Sequence, residues 1–262
     1  MALAPETETH TLSIVNCQLP IAQSFLQGFF SQSTRPDGRL FSMCRSTKIT
    51  KGILQKHTVG SSLVRLGNTQ VLCGITLQIG VPSITGQGDV VVVPSSQEEL
   101  QSIVTDMLDL SCLGIIEGKA AWRLQVTLQV LQDDGNVMDA SLLATIAALT
   151  DTHLPATQRN AKAGTMEIVE GDNEGTPLKF HYLPVPLTMG IYQSDETIHL
   201  LADPTPQEEP LMQGYLTMVV ADDDQIVHTK HASKIGLKRE DLAVCAHMAY
   251  GRAKEIRNLL QL

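Results

Sequence analysis

The sequence is poor in the features that mark secreted, metal-binding or membrane-spanning chains. Its five cysteines are odd in number and widely spaced, and none belongs to a Cys-x-x-Cys pair (Cys17, Cys44, Cys73, Cys112 and Cys245). We therefore expect reduced cysteines in a cytosolic or nuclear protein, with no metal site. No apolar run approaches the roughly 20 residues of a membrane span. Residues 1–11 contain acids and no apolar run, so we expect no secretory signal and no membrane partner.

Positive charge is also scarce, because 19 Lys and Arg stand against 28 Asp and Glu, for a net charge of -9. Affinity for nucleic acid comes mostly from cations that meet phosphates, so RNA binding would need a local basic patch or a basic partner. Residues 35–65 are the exception, with one acid and seven basic residues (Arg35, Arg39, Arg45, Lys48, Lys51, Lys56 and Arg65). Between Lys179 and Lys230 there are acids and no base. This asymmetry predicts either a basic side that faces RNA or an acidic neighbour, or a set of ion pairs within the fold.

Hydrophobic periodicity predicts a mixed α/β chain with 43% apolar residues, enough for one large domain or two small ones. Period-two patterns predict strands at 62–66, 69–79, 89–93, 120–131, 185–191, 197–202, 215–220 and 225–229. Helical spacing predicts helices at 18–31, 97–110, 138–149 and 239–262, the last with Leu242, Cys245 and Ala249 toward the core. Residues 133–136 are predicted to form a hairpin turn in which Gly135 takes positive φ. The order of strands, acidic turn and alanine-rich helix recurs in both halves, which indicates an α+β repeat.

The most specific local signal is the run Arg35-Pro36-Asp37-Gly38-Arg39, with Arg45 six residues after Arg39. Residues 60–71 (GSSLVRLGNTQV), residues 118–131, the triplet 134–136 (DGN) and the helix that starts at 138 follow in order. Residues 185–252 complete the pattern. In this order the motifs resemble the RNase PH family, and the resemblance covers the chain from residue 35 to about residue 260.

The resemblance implies a duplicated β-α-β-α fold, here with an N-terminal helix and a long C-terminal helix. It also implies an N-terminal extension with an amphipathic helix (residues 1–33), a first half (34–183) and a second half (184–262), packed as one globular unit. The N-terminal helix and the DGN-x-x-DA segment are most similar to exosome ring subunits of this family that lack catalytic residues.

The family also implies partners. They are other RNase PH-like exosome subunits in a six-membered ring, S1/KH-type cap proteins, and RNA that is threaded through the channel. Ribosomal RNA maturation and messenger RNA turnover are expected, in the nucleus, nucleolus and cytoplasm.

Active members of the family attack the terminal phosphodiester with inorganic phosphate. This chemistry needs cations that hold phosphate and carboxylates that manage metal or protons. The stretch in which active members carry an arginine has none here between Arg65 and Arg123, and Lys119 is its only lysine. It carries six acids instead (Asp89, Glu98, Glu99, Asp106, Asp109 and Glu117). The loop after Val93-Pro94 is also shorter than in relatives.

The expected carboxylates are incomplete as well. Active members carry one aspartate inside a strand and a second six residues later, before glycine; here the first falls on Leu128, and Asp134 preserves only the second. The glutamate of the family's DGRxxxE pattern falls on Met43. We therefore expect a non-catalytic chain, with no cofactor and no metal, in which Asp134 is a remnant that serves the turn and Asp139 opens or caps the following helix.

The basic residues and Asp37 are candidates for RNA contact, for the fold or for a partner interface. Lys48, Lys51 and Lys119 are the candidates for RNA contact, whereas Arg35, Asp37, Arg39 and Arg45 are candidates for the fold or for a partner interface. His228 and His231 are three residues apart, but nothing in the sequence completes a metal site around them.

Two alternative functions remain. The chain could be a phosphorolytic 3′-to-5′ exoribonuclease that is active only with a partner subunit. It could also be an interaction module outside any ring.

Overall fold

The computed structural model describes residues 24–25, 28–30, 32, 34–54, 56, 58–82, 87–94, 98–159, 166–169, 175–194, 197–222 and 224–260. Most of the predicted N-terminal helix at 18–31 lies outside these residues, as does Cys17. Within that helix, residues 24–25 and 28–30 are helical. Phe30 is buried against Phe41 and Tyr192, with ring centroids 5.5 and 4.9 Å away, whereas Phe25 is exposed.

The first half is built on a six-stranded sheet. Its strands are β1 (Thr47–Lys51), β2 (Gly60–Leu66), β3 (Thr69–Gly80), β4 (Asp89–Val93), β5 (Gly114–Ile116) and β6 (Ala120–Gln132). The order is β1-β2-β3-β6-β4, with β5 also paired to β6, and only the β4–β6 pair is parallel. Along β6, buried Leu124, Val126 and Leu128 alternate with more exposed residues, as expected for a sheet with one face on the core.

The second half is built on a four-stranded antiparallel sheet in the order β12-β11-β13-β14. Its strands are β11 (Val185–Ser194), β12 (Thr197–Ala202), β13 (Gly214–Val220) and β14 (Ile226–Ser233). Two small pairs connect the halves: β7 (His153–Leu154) pairs with β10 (Thr176–Pro177), and β8 (Thr157–Arg159) pairs with β9 (Met166–Ile168).

The three longest helices in the described residues cover the core faces of these sheets: α1 (Glu98–Met107), α2 (Val137–Thr150) and α3 (Arg239–Leu260). Helix α2 contacts β2, β3 and β11, so it lies between the two halves, and every residue from 139 to 149 is buried. Its alanines let both sheets approach closely. Helix α3 packs on β11 and β13. None of the helices in the described ranges has the length and apolar character to cross a membrane.

The predicted fold class is confirmed, and so are most of the predicted strands and helices, with shifts of a few residues at their ends. The predicted hairpin at 133–136 is wrong, because β6 leads into α2 at this turn. Gly135 does take positive φ, at 81°, and a short Asp-Gly-Asn run suits either connection. Leu242 was also predicted wrongly, since it is 40% exposed. The buried stripe of α3 begins one turn later, at Cys245.

The four cysteines in the described residues are all free, as the sequence predicted. Cys73 and Cys245 are buried, and Cys44 and Cys112 are half-buried. Burial raises the pKa of the Cys44 and Cys73 thiols to about 12, so both stay protonated and unreactive at neutral pH.

Candidate functional site

Arg35 forms a buried ion pair that ties the segment before the first sheet to the second half. Its Nε donates to Glu208 Oε1 at 2.8 Å, and its Nη2 donates to Glu208 Oε2. The same guanidinium donates to the carbonyls of Ala202 at 2.6 Å and Asp203 at 2.9 Å. Arg35 and Glu208 are each 1% exposed. Such a two-pronged pair is among the strongest hydrogen-bonded contacts in proteins. The remaining N–H groups of the guanidinium donate to backbone carbonyls.

Arg39 closes the turn of the Asp-Gly-Arg motif. Its backbone N–H donates to Asp37 Oδ1 at 3.0 Å, and its Nε donates to Asp37 Oδ2 at 2.6 Å. Arg39 Nη1 also lies 3.4 Å from Asp203 Oδ2. Burial would raise the pKa of Asp37, but the hydrogen bonds and charge of Arg39 outweigh it and lower that pKa below its usual value.

Arg45 and Asp203 form the centre of the junction, the cluster of ion pairs in which Arg35, Arg39 and Arg45 meet Asp203 and Glu208 of the second half. Arg45 donates from Nε and Nη2 to the two oxygens of Asp203, at 2.8 and 2.6 Å, and its Nη1 and Nη2 also reach the carbonyls of Asp134 and Gly135. Asp203 is 1% exposed and has a φ of 51°. Burial would raise its pKa, but the bonds from Arg45 hold the pKa of Asp203 below its usual value. A Cβ atom at position 67 would lie 2.7 Å from Arg45 Cδ, which is too close, and this explains the glycine there.

The N-terminus of α2 opens onto the same junction. Asn136 precedes the helix with a φ of 52°, and its Nδ2 donates to Asp139 Oδ2 and to Asp203 Oδ1, each at 2.9 Å. Its backbone N–H donates to Glu209 Oε1 at 3.0 Å. A helix N-terminus attracts anions through its free N–H groups and dipole. In this fold the anions are the chain's own carboxylates.

Asp139 lies in the first turn of α2 but does not cap it. Its carboxylate accepts the backbone N–H and the hydroxyl of Thr188 in β11, both at 2.7 Å. It therefore joins the helix to the second sheet, whereas the sequence predicted a cap. Burial raises the pKa of Asp139 above its usual value, because ionising a buried carboxyl is costly.

Leu128 and Asp134, the two positions at which active members carry aspartates, do not form one site in this chain. Leu128 is 7% exposed on the core face of β6. Asp134 lies beyond the end of that strand, where its carboxylate accepts from Asn68 Nδ2 at 3.1 Å and lies 3.6 Å from Arg45 Nη1. Met43, at the position of the family's lost glutamate, is half-exposed and lines a cavity of about 470 Å³ together with Arg252.

The three lysines predicted to contact RNA are exposed but far apart. Lys48 and Lys51 lie on the edge strand β1, whereas Lys119 lies in the turn before β6. The register places Lys51 beside Ser62, then Cys73, then Leu128 across the sheet. Lys119 is nine residues from Leu128, or roughly 30 Å along the strand. The structure therefore does not bring the three lysines into one patch.

Sequence reasoning missed the acidic partners of the arginines. Asp203 and Glu208 pair with the arginines, and Glu209 accepts from the backbone N–H of Asn136. All three follow β12, and their signal was the acid-only stretch between Lys179 and Lys230. His228 Nε2 lies 3.1 Å from Glu99 Oε1 and so takes part in an α1–β14 contact. Within the described ranges, no three His, Cys, Asp or Glu side chains form a group that could hold a metal ion.

Comparison with known families agrees with this architecture. Residues 43–155 match domain 1 of the 3′ exoribonuclease family, RNase PH, and residues 182–252 match domain 2. The chain is 30% identical over 264 residues to the exosome complex component Rrp42 of Pyrococcus horikoshii, which covers 92% of this chain and 93% of that protein.

Solved structures agree as well. A chain of an archaeal exosome core superposes with a TM-score of 0.76 at 28% identity and covers 94% of this chain and 98% of its own. A chain of the Archaeoglobus fulgidus exosome with RNA bound to the active site gives a TM-score of 0.74 at 27% identity, over 92% and 98% of the two chains. Both domain matches occur in the order of the two sheets described above. The chain therefore belongs to the 3′ exoribonuclease family of RNase PH and carries both of its domains.

Proposed function

We propose that this chain is a non-catalytic subunit of the exosome ring. It forms the RNA-threading channel together with other RNase PH-like chains, and so supports 3′-to-5′ RNA processing and degradation. Its relatives are named exosome components, and the solved structures that it resembles along nearly its whole length are exosome cores. Contacts with S1/KH-type cap proteins, and a location in nucleus, nucleolus and cytoplasm, are part of the same proposal.

The non-catalytic role is supported by one observation: the arginines of the junction are already paired within the chain. Phosphorolysis requires cations that are free to hold a phosphate dianion. Arg35, Arg39 and Arg45 are instead bound by carboxylates and carbonyls of the chain itself. Glu209 already accepts from the N-terminus of α2, where an anion would bind most readily. A phosphate would have to displace internal carboxylates, some of them fully buried.

The scaffold role is tested by assembly. RNase PH-like partner subunits are co-expressed with and without this chain, and the mass of the purified complex is measured by native mass spectrometry. We expect a six-membered ring only when the chain is present. The variant Asp134→Asn, which keeps an acceptor for Asn68, should assemble like the wild type. A complete ring that forms without the chain would contradict the scaffold role.

One observation favours an alternative, a phosphorolytic exoribonuclease that is active only with a partner. The side chain of Asp134 is 29% exposed at the surface of the junction, where a second chain could contact it and supply the missing cations. The alternative requires phosphate-dependent release of nucleoside diphosphates by the chain or by a heterodimer that contains it. No such release from either would exclude it.

A further inference from the structure

The outer face of the six-stranded sheet is open. Residues Arg123, Thr127 and Gln129 of β6 alternate with core residues and are exposed, as is Lys48 of β1. The three longest helices of the described residues pack elsewhere: α2 lies on the opposite face of this sheet, and α1 packs beside β4. Helix α3 packs on the second sheet and reaches β1 at buried Thr47, which neighbours Lys48 but alternates with it along the strand. The sheet therefore has one face on the core and one face in solvent.

Two like charges face each other on this open surface. Lys48 of β1 pairs directly with Arg65 of β2, and the row continues to Gln70 of β3. Like charges directly opposite each other on adjacent strands destabilise a sheet. Within the described part of the chain, neither Lys48 nor Arg65 has a carboxylate within 4.0 Å. In a chain with a net charge of -9, such an unneutralised pair is a local positive site that attracts an anionic group of another molecule.

A small apolar depression lies on the same face. It has a volume of about 290 Å³, and its walls include Leu54, Thr58 and Leu72. Its floor is Gly74, where a Cβ atom would lie 3.1 Å from Thr58 Cγ2 and 3.5 Å from Leu54 Cδ1. The absence of a side chain at Gly74 lets Thr58 and Leu54 pack closely against β3 and form the walls of the depression. Its size and lining suit an aliphatic side chain.

The register gives the distance between the two features along the strand direction. Arg65 lies opposite Gln70, and Gly74 is four residues further along β3, which corresponds to roughly 13 Å. An extended segment covers the same distance with four residues. We propose that this face binds an extended protein segment of another chain, in which an acidic residue stands about four positions from an aliphatic residue. The carboxylate pairs with Lys48 and Arg65, and the aliphatic side chain fills the depression over Gly74.

The chemistry of the face favours protein over RNA as the occupant. Single-stranded RNA is usually held by aromatic side chains that stack on bases, together with a track of cations. The residues that line the depression include no aromatic side chain, and Lys48 and Arg65 form a single cationic point. This proposal does not depend on the ring role, because any acidic extended segment would satisfy it.

Peptide binding tests the proposal on the full-length chain. The probes are fluorescein-labelled decapeptides of Thr and Ser that carry one Asp and one Leu, spaced two, three, four or five residues apart. Fluorescence anisotropy should show the tightest binding at a spacing of about four. Replacing Asp by Lys, or Leu by Ala, should weaken binding at least about tenfold. Equal binding at all spacings, or no binding, would overturn the proposal.

Variants of the chain locate the site. Arg65→Glu should weaken binding of the best peptide at least about tenfold, whereas the matched change Lys234→Glu, at an exposed loop lysine, should leave it unchanged. Equal loss in both variants would mean nonspecific charge attraction. A labelled twelve-nucleotide oligoadenylate provides the RNA arm. If the oligoadenylate binds in an Arg65-dependent manner and the peptides do not, the face is an RNA site and the proposal is wrong.

A stability measurement gives an independent check. Arg65→Glu replaces a like-charge pair with an opposite-charge pair, so the free chain should unfold about 1–3 °C higher than the wild type. Loss of peptide binding together with a higher Tm cannot result from misfolding. A lower Tm would mean that Arg65 serves the fold of the isolated chain, and would contradict the proposal.

Discussion

Two groups of cations within the same stretch, residues 35–65, have opposite environments. Arg35, Arg39 and Arg45 lie at the junction of the halves and are bound by carboxylates, whereas Lys48 and Arg65 face each other on the open sheet without one. The sequence presents them as one basic segment. The structure separates them because the acidic residues after β12 fold back onto the first group only.

The difference between the groups shows that local charge does not define an RNA site. A cation is available to a phosphate or a partner only if the fold has not already paired it. Some of the pairing residues here are more than 150 positions away, as Asp203 is from Arg45. The junction cations serve the fold, and the outer pair is available for binding.

The largest expected effect on stability comes from breaking the buried ion pair between Arg35 and Glu208. Arg35→Ala leaves Glu208 buried and unpaired, so urea unfolding should show a loss of about 3–5 kcal/mol in the free energy of unfolding. The matched truncation Arg65→Ala should change it by no more than about 0.5 kcal/mol. In the double variant Arg35→Ala/Glu208→Ala, part of the loss should be recovered. If Arg35→Ala and Arg65→Ala had similar effects, the two groups would not differ as described.

Asp203→Asn should cost less, about 2–3 kcal/mol at neutral pH, because a neutral amide still fills the space but loses the charge that Arg45 binds. The folded-state pKa of Asp203 lies below the ordinary value of 3.8. The stability that it contributes is therefore complete above about pH 4 and is lost as pH falls toward the folded-state pKa. The free energy of unfolding, measured between pH 2.5 and 6, should fall less steeply toward acid pH in the variant than in the wild type. Equal pH dependence in the two proteins would contradict the pairing of Asp203 with Arg45.

Asp139→Asn should change the pH dependence of stability in the opposite direction from Asp203→Asn. The folded-state pKa of Asp139 is raised by burial, so the folded chain binds its proton more tightly than the unfolded chain does. Its contribution to stability is therefore greatest at low pH and declines as pH rises above about 4. The asparagine can still accept from Thr188 N–H, so we expect a change of about 1 kcal/mol at neutral pH. The stability difference between variant and wild type should move in the variant's favour as pH rises from 3 to 7.

The smallest effect is expected at an exposed ion pair. Arg123 Nη2 lies 3.2 Å from Asp89 Oδ2 on the open face, and the Arg123 side chain is 48% exposed. Exposed pairs of this kind contribute about 0–1 kcal/mol. Thermal unfolding of Arg123→Ala should therefore lie close to the wild type, and any difference should shrink further in 0.5 M salt. A loss similar to that of Arg35→Ala would show that burial is not what distinguishes the two groups.

Much of the fold could be predicted from periodicity. The run DVVVV became β4 with the predicted bounds, and the apolar run that begins at Met138 became the buried helix α2. The turn at 133–136 was misassigned because a local Asp-Gly-Asn run does not show whether a strand or a helix follows. The sequence predicts fold or interface roles for Arg35 and Arg45, and the structure pairs both with acids of the second half. Those partners could not be predicted, since pairing across the halves depends on tertiary packing.

The candidate site shows the same limit. Asp139 was predicted to serve its own helix, and only the packing of α2 against β11 brings it to Thr188. Lys48, Lys51 and Lys119 were grouped by charge, yet strand register separates Lys119 from the other two. The domain boundaries at 33/34 and 183/184 remain predictions.

The most direct test of the central claim is phosphate-dependent RNA decay by the reconstituted ring. Nucleoside diphosphate release from a labelled RNA is measured for rings that contain either the wild-type chain or Asp134→Ala. A non-catalytic role predicts that the two rings behave alike, either with no release or with equal release that other subunits provide. Release by the wild-type ring that disappears with Asp134→Ala would contradict it, and would show that this chain contributes a carboxylate to a working active site.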